Sequence, residues 1–505
     1  MAITEMERIQ YRLAEQGIQS REEILRELIR EDEGSEEKQF AKTAQQYYIG
    51  EQDILKHDFR DAVIYDEDER EVRITNANNS NHHNVHNFYA LQADQKTAYI
   101  AGRAPSISVE GAKESTELKA FEDEITKVTS DEVFSDKLTD YLTTATNHGR
   151  SWLHMFYGKA GKLHYVLVPE IEIIPFYDAE NQDTLTELIR YYSMELPREG
   201  KLTLRKKAQW WTAYGVTYYE ENDSGDFVLD DSVKQNPSAH WQDVTVTDGA
   251  VTAKAPRSWG RVPFIPLLNN SEKMSDLKRI KGLQDAYNLI SSATTNNQID
   301  LVELYWLVQG YGAESAKAIQ SKLRMNKAVH IDDPDGKINA EQVSLGVQER
   351  IAWLELLRKD MYHIGMAVDT DADKFGSAPS GVSLKFQYTL LDMKANKQIL
   401  KLGVAMKDFM WFVVEDINRR DKKTYDSALV RFDINKSVPI NDSETVQIIA
   451  QSQGLVPDTI LLAKHPLVDD VNQAQADMEA QRANAAKRQK EAFLIDDESP
   501  GGEDA

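Results

Sequence analysis

Residues 347–368 read VQERIAWLELLRKDMYHIGMAV, residues 369–381 read DTDADKFGSAPSG, and residues 382–420 read VSLKFQYTLLDMKANKQILKLGVAMKDFMWFVVEDINRR. In the first stretch apolar residues recur at spacings of three and four, which predicts an amphipathic helix. The second stretch is rich in residues that break helices. The third predicts a helix on the order of 55–60 Å long, whereas globular helices run about 8–20 residues. A rod of this length with a loop at its head indicates a mechanical element more than a catalytic scaffold.

The composition is that of a soluble globular chain. It has 505 residues, 41% hydrophobic and 28% charged, which favours about three domains. No apolar run approaches the roughly 20 residues that span a bilayer, and the N-terminus lacks the pattern of a signal peptide. We therefore expect no membrane partner. The absence of cysteine excludes disulfides and thiolate sites and fits a reducing compartment.

The net charge of −24 restricts the kinds of partner. Proteins that bind DNA tightly neutralise phosphates with Lys and Arg. A chain this acidic is a poor candidate for tight, sequence-specific DNA binding. It could still surround DNA that has to move past it, because repulsion prevents sticking.

Patterns along the rest of the chain predict a mixed α/β (α+β) fold that is mainly helical. A β-rich block is expected from about 151 to 230. A helix is expected over 275–300, with Leu277, Ile280, Leu283, Tyr287 and Ile290 near one face. Strands are expected at 301–308 and 327–331, flanking a helix near 313–324. The acidic, Pro/Gly-rich end is expected to be disordered.

The acidic gap starts like a calcium loop, with Asp369, Asp371 and Asp373 at positions 1, 3 and 5. The match then fails, because position 6 is Lys374 instead of Gly and position 12 is Ser380 instead of Glu. We favour a solvated loop that faces a ligand without binding it tightly. A metal-dependent, phosphate-acting enzyme that uses the three aspartates is kept as an alternative.

Two further clusters have a functional and a structural interpretation. His82 and His86 have the i,i+4 spacing of metal ligands on a helix, but the Asn-rich context favours turn contacts. The aromatic pairs at 47–48, 210–211 and 218–219 could stack on bases, yet they lack interleaved Arg or Lys and are better interpreted as core packing. No Walker A, G-x-S-x-G or H-E-x-x-H motif occurs.

Several short motifs, in order, resemble the portal proteins of tailed bacteriophages, specifically the SPP1-type portal family. Each motif is weak alone, but their order and spacing over about 47–470 are specific. They are Tyr47, Tyr48, Gly50 and Ile54; Asp94, Gln95, Lys96, Tyr99 and Gly102, with Pro105 one position late; Trp259, Gly260, Pro263, Pro266, Asn269 and Asn270; Ser275, Asp276 and Leu277; Leu391, Asp392, Lys394, Ala395 and Asn396; and Asn441, Asp442, Ser443 and Glu444.

The resemblance implies a portal fold with wing, stem, clip and crown, assembled as a ring. The implied divisions are 1–46, a peripheral helical segment; 47–270, the wing; 271–300, a stem helix; 301–343, the clip; 344–368, a stem helix; 369–381, the tunnel loop; 382–442, a long wing helix and return strand; 443–494, the crown; and 495–505, a disordered acidic tail.

The resemblance also implies a function without catalysis, cofactor or metal. The ring, usually of twelve subunits, would conduct double-stranded DNA at one capsid vertex during packaging and ejection. It would dock a terminase motor, a head-completion adaptor, and major capsid and scaffolding proteins. It would be assembled in the host cytoplasm and reside in the virion. A structural virion protein that forms no ring is a further alternative.

Two sets of site residues follow from this interpretation. The loop facing DNA would contain Asp369, Asp371, Asp373, Lys374, Phe375 and Ser377. Partner docking at the clip would use Leu304, Tyr305, Trp306, Arg324, Asp333, Asp335 and Lys337.

Overall fold

The computed structural model describes most of the chain in two compact units. The first unit comprises residues 1–369 and 390–437, and the second comprises 370–389 and 438–505. The described residues are 4–65, 71–75, 79–181, 183–198, 201–247, 250–300, 305–309, 337–341, 346–370, 381–437, 442–465, 467–468, 471, 474–475, 477–481 and 484–485. No helix in these ranges combines the length and apolarity needed to cross a bilayer.

The described helices, in chain order, are α1 Glu5–Glu15, α2 Arg21–Gly34, α3 Glu36–Tyr48, α4 Phe88–Ala101, α5 Thr116–Thr129, α6 Glu132–His148, α7 Leu277–Asp300, α8 Val347–Ile364, α9 Gly381–Asp421, α10 Asp442–Ser452 and α11 Asp458–Ala463.

The described strands are β1 Asp61–Tyr65, β2 Glu71–Thr75, β3 Ser106–Val109, β4 Arg150–Tyr157, β5 Leu163–Pro169, β6 Ile173–Tyr177, β7 Leu185–Arg198, β8 Lys201–Thr212, β9 Val216–Glu221, β10 Phe227–Leu229, β11 Trp241–Thr247, β12 Ala250–Arg257, β13 Phe264–Leu268, β14 Tyr305–Gln309, β15 Lys337–Glu341 and β16 Val430–Asp433. They pair antiparallel, in a sheet ordered β10-β9-β8-β7-β6, a sheet ordered β13-β4-β5, and the pairs β1-β2, β11-β12, β14-β15 and β16-β3.

The N-terminal helices cover one face of the five-stranded sheet. Thr4 and Ser20 begin α1 and α2 with capping boxes completed by Glu7 and Glu23, which satisfy amide groups that the first helical turn leaves unpaired. The apolar side chains of both helices share a core with the sheet: Met6, Leu13, Leu25, Leu28, Ile29, Phe176, Ile189, Trp210, Tyr219 and Phe227. Residues expected at the periphery thus contribute to a buried core.

The long helix α9 packs on α6 in the first unit. Its buried residues there recur at helical spacing: Leu391, Ala395, Leu402, Ala405 and Phe409. The rings of Phe134 and Phe409 lie 5.8 Å apart, and the side-chain amide of Gln398 donates to the Leu142 carbonyl over 3.5 Å. α9 therefore forms part of the helical layer of the first unit, with one side buried against α6.

An extended segment, residues 80–86, lies along α7. The amide N–H groups of Ser80, His82, Asn84 and His86 donate to Asp300 Oδ1, Asn296 Oδ1, Ser292 Oγ and Asn288 Oδ1 over 2.7–3.0 Å. Two residues of extended chain and four residues of helix both advance by about 6–7 Å, so every second amide meets every fourth helical side chain.

We call these hydrogen bonds between residues 80–86 and α7 the ladder. They show that the predicted buried face of α7 is wrong beyond its first turn. Leu277 and Ile280 are buried as expected, but beyond them the buried positions are Gln284, Asn288, Ser292 and Asn296, whereas Leu283, Tyr287 and Ile290 are only half-buried. The physical reason is that this stripe packs against backbone donors and carbonyls, which need polar partners when they leave water. A search for apolar periodicity does not detect such a face.

Helices α7 and α8 run antiparallel. Arg350, near the start of α8, donates to Thr294 near the end of α7 over 3.4 Å. Arg279, near the start of α7, contacts the Met366 sulfur just beyond α8 over 3.6 Å. The end of α8, which leads into residues 369–381, therefore lies beside the start of α7.

The second unit contributes the first turns of α9 and the helices α10 and α11. Between α10 and α11, Gly454 adopts a φ of 82°, a left-handed conformation that glycine takes without strain. This turn separates the two short helices.

Candidate functional site at the root of the 369–381 loop

The chain that enters the 369–381 loop is held by a side chain of α4. Gln95 Nε2 donates to the Val368 carbonyl over 2.9 Å, and the Val368 amide donates to Gln95 Oε1 over 2.8 Å. One side chain thus satisfies both backbone groups of the residue before Asp369. This fixes the direction in which the chain leaves α8.

Asp369 forms an ion pair. Its carboxylate accepts from Arg358 Nη2 over 2.6 Å, and its side chain is 11% exposed. Asp369 was predicted to face DNA as part of the loop. The structure places it at the fixed end of the loop, paired with a cation from α8.

The end of α8 passes close to α4. A Cβ atom at Gly365 would lie 2.6 Å from the Met361 backbone oxygen and 2.0 Å from Gln92 Oε1, so a side chain here would clash with backbone as well as displace Gln92. The amide of Gln92 donates in turn to the Met361 carbonyl over 3.3 Å. Glycine is therefore required for this approach of the two helices.

Three buried charges join α4, α7 and α9 beneath this root. Lys96 Nζ and Lys394 Nζ both lie 2.8 Å from Asp276 Oδ2. Asn269 accepts from Lys96 over 2.6 Å and donates to Asp276 Oδ1 over 2.8 Å. Lys394 also donates to the Gly365 carbonyl over 2.8 Å. We call Lys96, Asp276 and Lys394 the buried triad.

Burial and pairing act against each other in the triad. Burial lowers the pKa of Lys96 to about 8, because it disfavours the charged ammonium, while Asp276 opposes the shift and Lys394 adds to it. For Asp276 burial alone would raise the pKa, but Lys394 and Lys96 outweigh it and hold the pKa below its ordinary value. Asp276 is thus the shared anion of the triad.

A second polar cluster ties α9 to the chain after it. Asp392 accepts from the Tyr99 hydroxyl over 2.9 Å and from Lys436 over 2.6 Å. Asn396 donates to the other Asp392 oxygen over 3.1 Å. Burial would raise the pKa of Asp392, yet the bonds from Lys436 and Tyr99 lower it.

Most of the predicted site residues fall outside the described residues. In the loop these are Asp371, Asp373, Lys374, Phe375 and Ser377, and in the clip they are Leu304, Arg324, Asp333 and Asp335. Tyr305 and Trp306 lie in β14 and pair with Glu341 and Ala340, and Lys337 begins β15 opposite Gln309. A strand at Lys337–Glu341 was not predicted.

The histidine cluster is engaged with its neighbours. His86 Nε2 lies 2.9 Å from Ser291 Oγ, and His83 Nε2 lies 2.6 Å from the His57 carbonyl oxygen. Among the described residues no group of three His, Asp or Glu side chains is placed to hold a metal.

The aromatic pairs are core residues, as the sequence interpretation favoured. Tyr47, Trp210, Trp211 and Tyr219 are buried, and Tyr48 and Tyr218 are half-buried and pack against core residues. The six rings therefore form no exposed surface on which bases could stack.

Sequence reasoning missed the roles of Gln95, Lys96, Asp276 and Lys394 while quoting all four as motif residues. The available signal was that polar residues recurred in three motifs far apart in the chain. The structure brings these motifs together at one place, the root of the loop.

Comparison with known proteins identifies the family of this chain. A family model described as phage portal protein, SPP1 Gp6-like, matches residues 29–488. The portal protein of Bacillus phage SPP1 is 28% identical over 467 residues, covering 91% of this chain and 86% of that protein. The portal protein of Clostridium phage phiCD119 is 26% identical over 444 residues, covering 86% and 90%. This chain belongs to the SPP1 Gp6-like family of phage portal proteins.

Proposed function

We propose that the chain is a subunit of a closed ring at one capsid vertex, through which double-stranded DNA passes during packaging and ejection. The observation that carries this is the chain that leaves α8 towards α9: Val368 is held by Gln95 of α4 and Asp369 by Arg358 of α8. Family membership supports the portal function, and phage portal proteins are virion components.

The exposed faces of α8 support assembly into a ring. Ile351, Trp353, Leu356 and Ile364 are all exposed. At about 100° per residue the last three lie on one side of the helix and Ile351 lies on the opposite side. Large exposed apolar patches mark interaction sites, and subunits of a cyclic ring need two different contact surfaces. We propose twelve copies, assembled in the host cytoplasm.

The acidic loop is proposed to face the DNA. Duplex DNA carries about one charge per 1.7 Å of axis, so a basic channel would retain it and an acidic one lets it slide. Asp371 and Asp373 would repel phosphates, with Lys374, Phe375 and Ser377 as transient contacts. Asp369 would anchor the loop through Arg358.

The clip is proposed to dock the terminase motor during packaging and the head-completion adaptor afterwards. The antiparallel strand pair of β14 and β15 contains Tyr305, Trp306 and Lys337, and we propose that these residues take part in docking together with Leu304, Arg324, Asp333 and Asp335. Major capsid and scaffolding proteins would contact the outside of the ring.

We propose a structural role without enzymatic activity. The rival function, a metal-dependent phosphate-acting enzyme, depends on Asp369, Asp371 and Asp373 acting as ligands. The ion pair of Asp369 with Arg358 argues against it, since a cation already occupies that carboxylate. A magnesium or calcium titration showing tight binding, together with phosphate hydrolysis, would favour the rival.

Particle mass tests the proposed ring. Twelve chains of 57.4 kDa would give roughly 690 kDa for a closed cyclic assembly. We expect light scattering to show a species near this mass, and negative-stain images to show a central hole. A strictly monomeric chain, with and without scaffolding protein, would contradict the proposal.

A further inference from the structure

The outward side of α9 in the first unit carries exposed apolar and basic residues. Met393, Leu400 and Val404 are 52%, 74% and 62% exposed. Lys397 and Lys407 are exposed on the same side, because about 100° of rotation per residue brings all five together. We call these five residues the lysine face. Among the described residues neither lysine has an ion-pair partner at 4 Å or less.

A groove borders the lysine face. It has a volume of about 550 Å³ and lies between α9 and the strand β16. Its lining includes the apolar residues Leu400, Val404, Phe432 and Ile434 and the charged residues Lys407, Arg431, Asp433 and Lys436. The exposed side of the helix offers contact area to a partner, and the groove beside it can take up the partner's side chains. It can therefore receive apolar side chains of a partner that also carries negative charge.

A second surface has the opposite character. Asp136 and Asp140 are exposed one turn apart on α6, with Asp94 exposed on α4. Leu91 and Val133 beside them are 48% and 55% exposed. We call these five residues the acidic face. Burial and, after it, the neighbouring Asp136 raise the pKa of Asp140, and like charges one turn apart destabilise a helix.

The acidic face is continuous across the two helices. The Tyr48 hydroxyl donates to Asp94 over 2.6 Å, and burial, then Asp94 and Asp140, raise the pKa of Tyr48 to about 12. Both carboxylates therefore lie near one hydroxyl. A cationic partner would relieve the repulsion between them.

The two faces point in opposite directions. α6 and α9 pack on each other through Phe134, Phe409 and Gln398. On each helix the charged residues lie roughly half a turn away from these packed residues, at about 100° per residue. The packed pair thus carries a basic, apolar side and an acidic, apolar side.

We propose that the lysine face of one copy packs on the acidic face of the next copy around the ring. This inference rests on the proposed ring. A closed ring uses heterologous contacts, in which one surface meets a different surface of an identical neighbour. A second copy is the occupant that fits, because this chain itself carries the complementary charge, the exposed apolar side chains and the groove.

Charge reversal tests the contact. In Lys397→Glu with Lys407→Glu, and separately in Asp136→Lys with Asp140→Lys, we expect the concentration at half-assembly to rise ~tenfold or more at low salt. Combining the four changes in one chain should restore assembly, because each interface then joins the reversed faces. The matched control is Lys159→Glu with Lys162→Glu, two exposed lysines on the β4–β5 turn, which should assemble as the parent does.

Native mass spectrometry gives the assembly state, and circular dichroism with thermal unfolding shows that each variant is folded. Folded single-face variants that assemble as the parent does would overturn this contact and leave the ring intact. So would a combined variant that is folded but not rescued. A parent chain that forms no ring would contradict the proposed function as well.

Discussion

Asp276 is the shared partner of two buried ammonium groups, so the three members of the triad are not equivalent. Losing one lysine leaves an ion pair, whereas losing the carboxylate leaves two buried cations facing each other. Buried charges are tolerated only when they are paired and hydrogen-bonded. The order of mutational effects should follow from this asymmetry.

We expect Asp276→Asn to lower the free energy of unfolding by about 3–5 kcal/mol, because it leaves two buried lysines without a carboxylate. Lys96→Met should cost less, about 1–3 kcal/mol, since the Asp276–Lys394 pair survives and the main loss is the hydrogen bond to the buried Asn269 oxygen. Urea unfolding of the unassembled chain measures both. Equal losses would show that the carboxylate is not the common partner.

Gln95 should control the order of the loop root. In Gln95→Met the side chain keeps a similar length but loses both the donor to the Val368 carbonyl and the acceptor from the Val368 amide. We expect the Val368 amide to exchange with deuterium ~tenfold faster, because it is protected by one side chain at the end of a helix. Gln46→Met, at an exposed position on α3, provides the control. Unchanged exchange at 366–369 would contradict a positioning role.

Two buried histidines predict how stability depends on pH. Burial lowers the pKa of His148 to about 4 and that of His154 to about 3, from an ordinary value of 6.5. Below about pH 6.5 only the unfolded chain takes up these protons, which costs about 1.4 kcal/mol per pH unit for each proton. Their contribution is therefore complete above that pH and is lost as the pH falls towards 4.

The measurement is the unfolding free energy of the unassembled chain between pH 7.5 and 4.5. In His148→Phe the unfolding free energy should depend less steeply on pH over this range. The unfolded chain then takes up one proton fewer relative to the folded chain. His164→Phe, at an exposed position on β5, is the control and should leave the slope unchanged. An unaltered slope in His148→Phe would contradict the neutral, buried state.

At this scale the sequence could identify the residues but not their roles. A single lysine such as Lys96 reads as a surface residue, and only the packing of α4 against Asp276 and Lys394 makes it part of a buried triad. Asp369 reads as one of three equivalent acidic loop residues. Its ion pair with Arg358 depends on where α8 ends, which side-chain spacing does not determine.

At the scale of elements, periodicity predicted the long helices well. The expected 275–300 and 382–420 compare with Leu277–Asp300 and Gly381–Asp421 in the structure, because long runs free of Pro and strong turn signals leave little alternative. The buried face of α7 could not be predicted, since its partner is an extended backbone. The hairpin of β11 and β12 was missed as well.

The ladder on α7 makes a specific prediction. Asn296 both accepts from the His82 amide and donates to the His82 carbonyl, over 2.7 and 2.9 Å. Asn296→Leu leaves both backbone groups of His82 without their side-chain partner and should cost about 1–3 kcal/mol of stability. Asn297→Leu, the next residue and off the buried stripe, should cost under about 1 kcal/mol. Similar thermal shifts for the two variants would contradict the ladder's role.

At the scale of the whole molecule, the motifs predicted the family because their order is preserved over most of the chain. Composition and charge alone indicated only a soluble, acidic, mixed α/β protein. The clip and the loop, on which the proposed docking and DNA contacts depend, lie mostly outside the described residues. Their assignment rests on the resemblance.

The proposed DNA-facing role of the loop is best tested away from its anchor. In Asp371→Lys with Asp373→Lys, we expect rings to assemble normally while packaging slows, because added cations retain the phosphates. The effect should weaken at higher ionic strength. Asp369→Asn should instead loosen the root by releasing Arg358. Packaging at the parent rate in the double variant would show that these side chains do not meet the DNA.

The ladder on α7 also sets its own length. From Ser80 to His86 the extended chain covers about 20 Å, while the helix from Asp300 to Asn288 covers about 18 Å. The spacing of every second residue in the extended chain is slightly larger than the spacing of every fourth residue in the helix. The offset between each backbone amide and its helical acceptor therefore grows with every hydrogen-bonded pair. After about two further rungs the offset would exceed the tolerance of a hydrogen bond. The segment leaves the helix after His86, where Asn87 starts α4, before this mismatch accumulates.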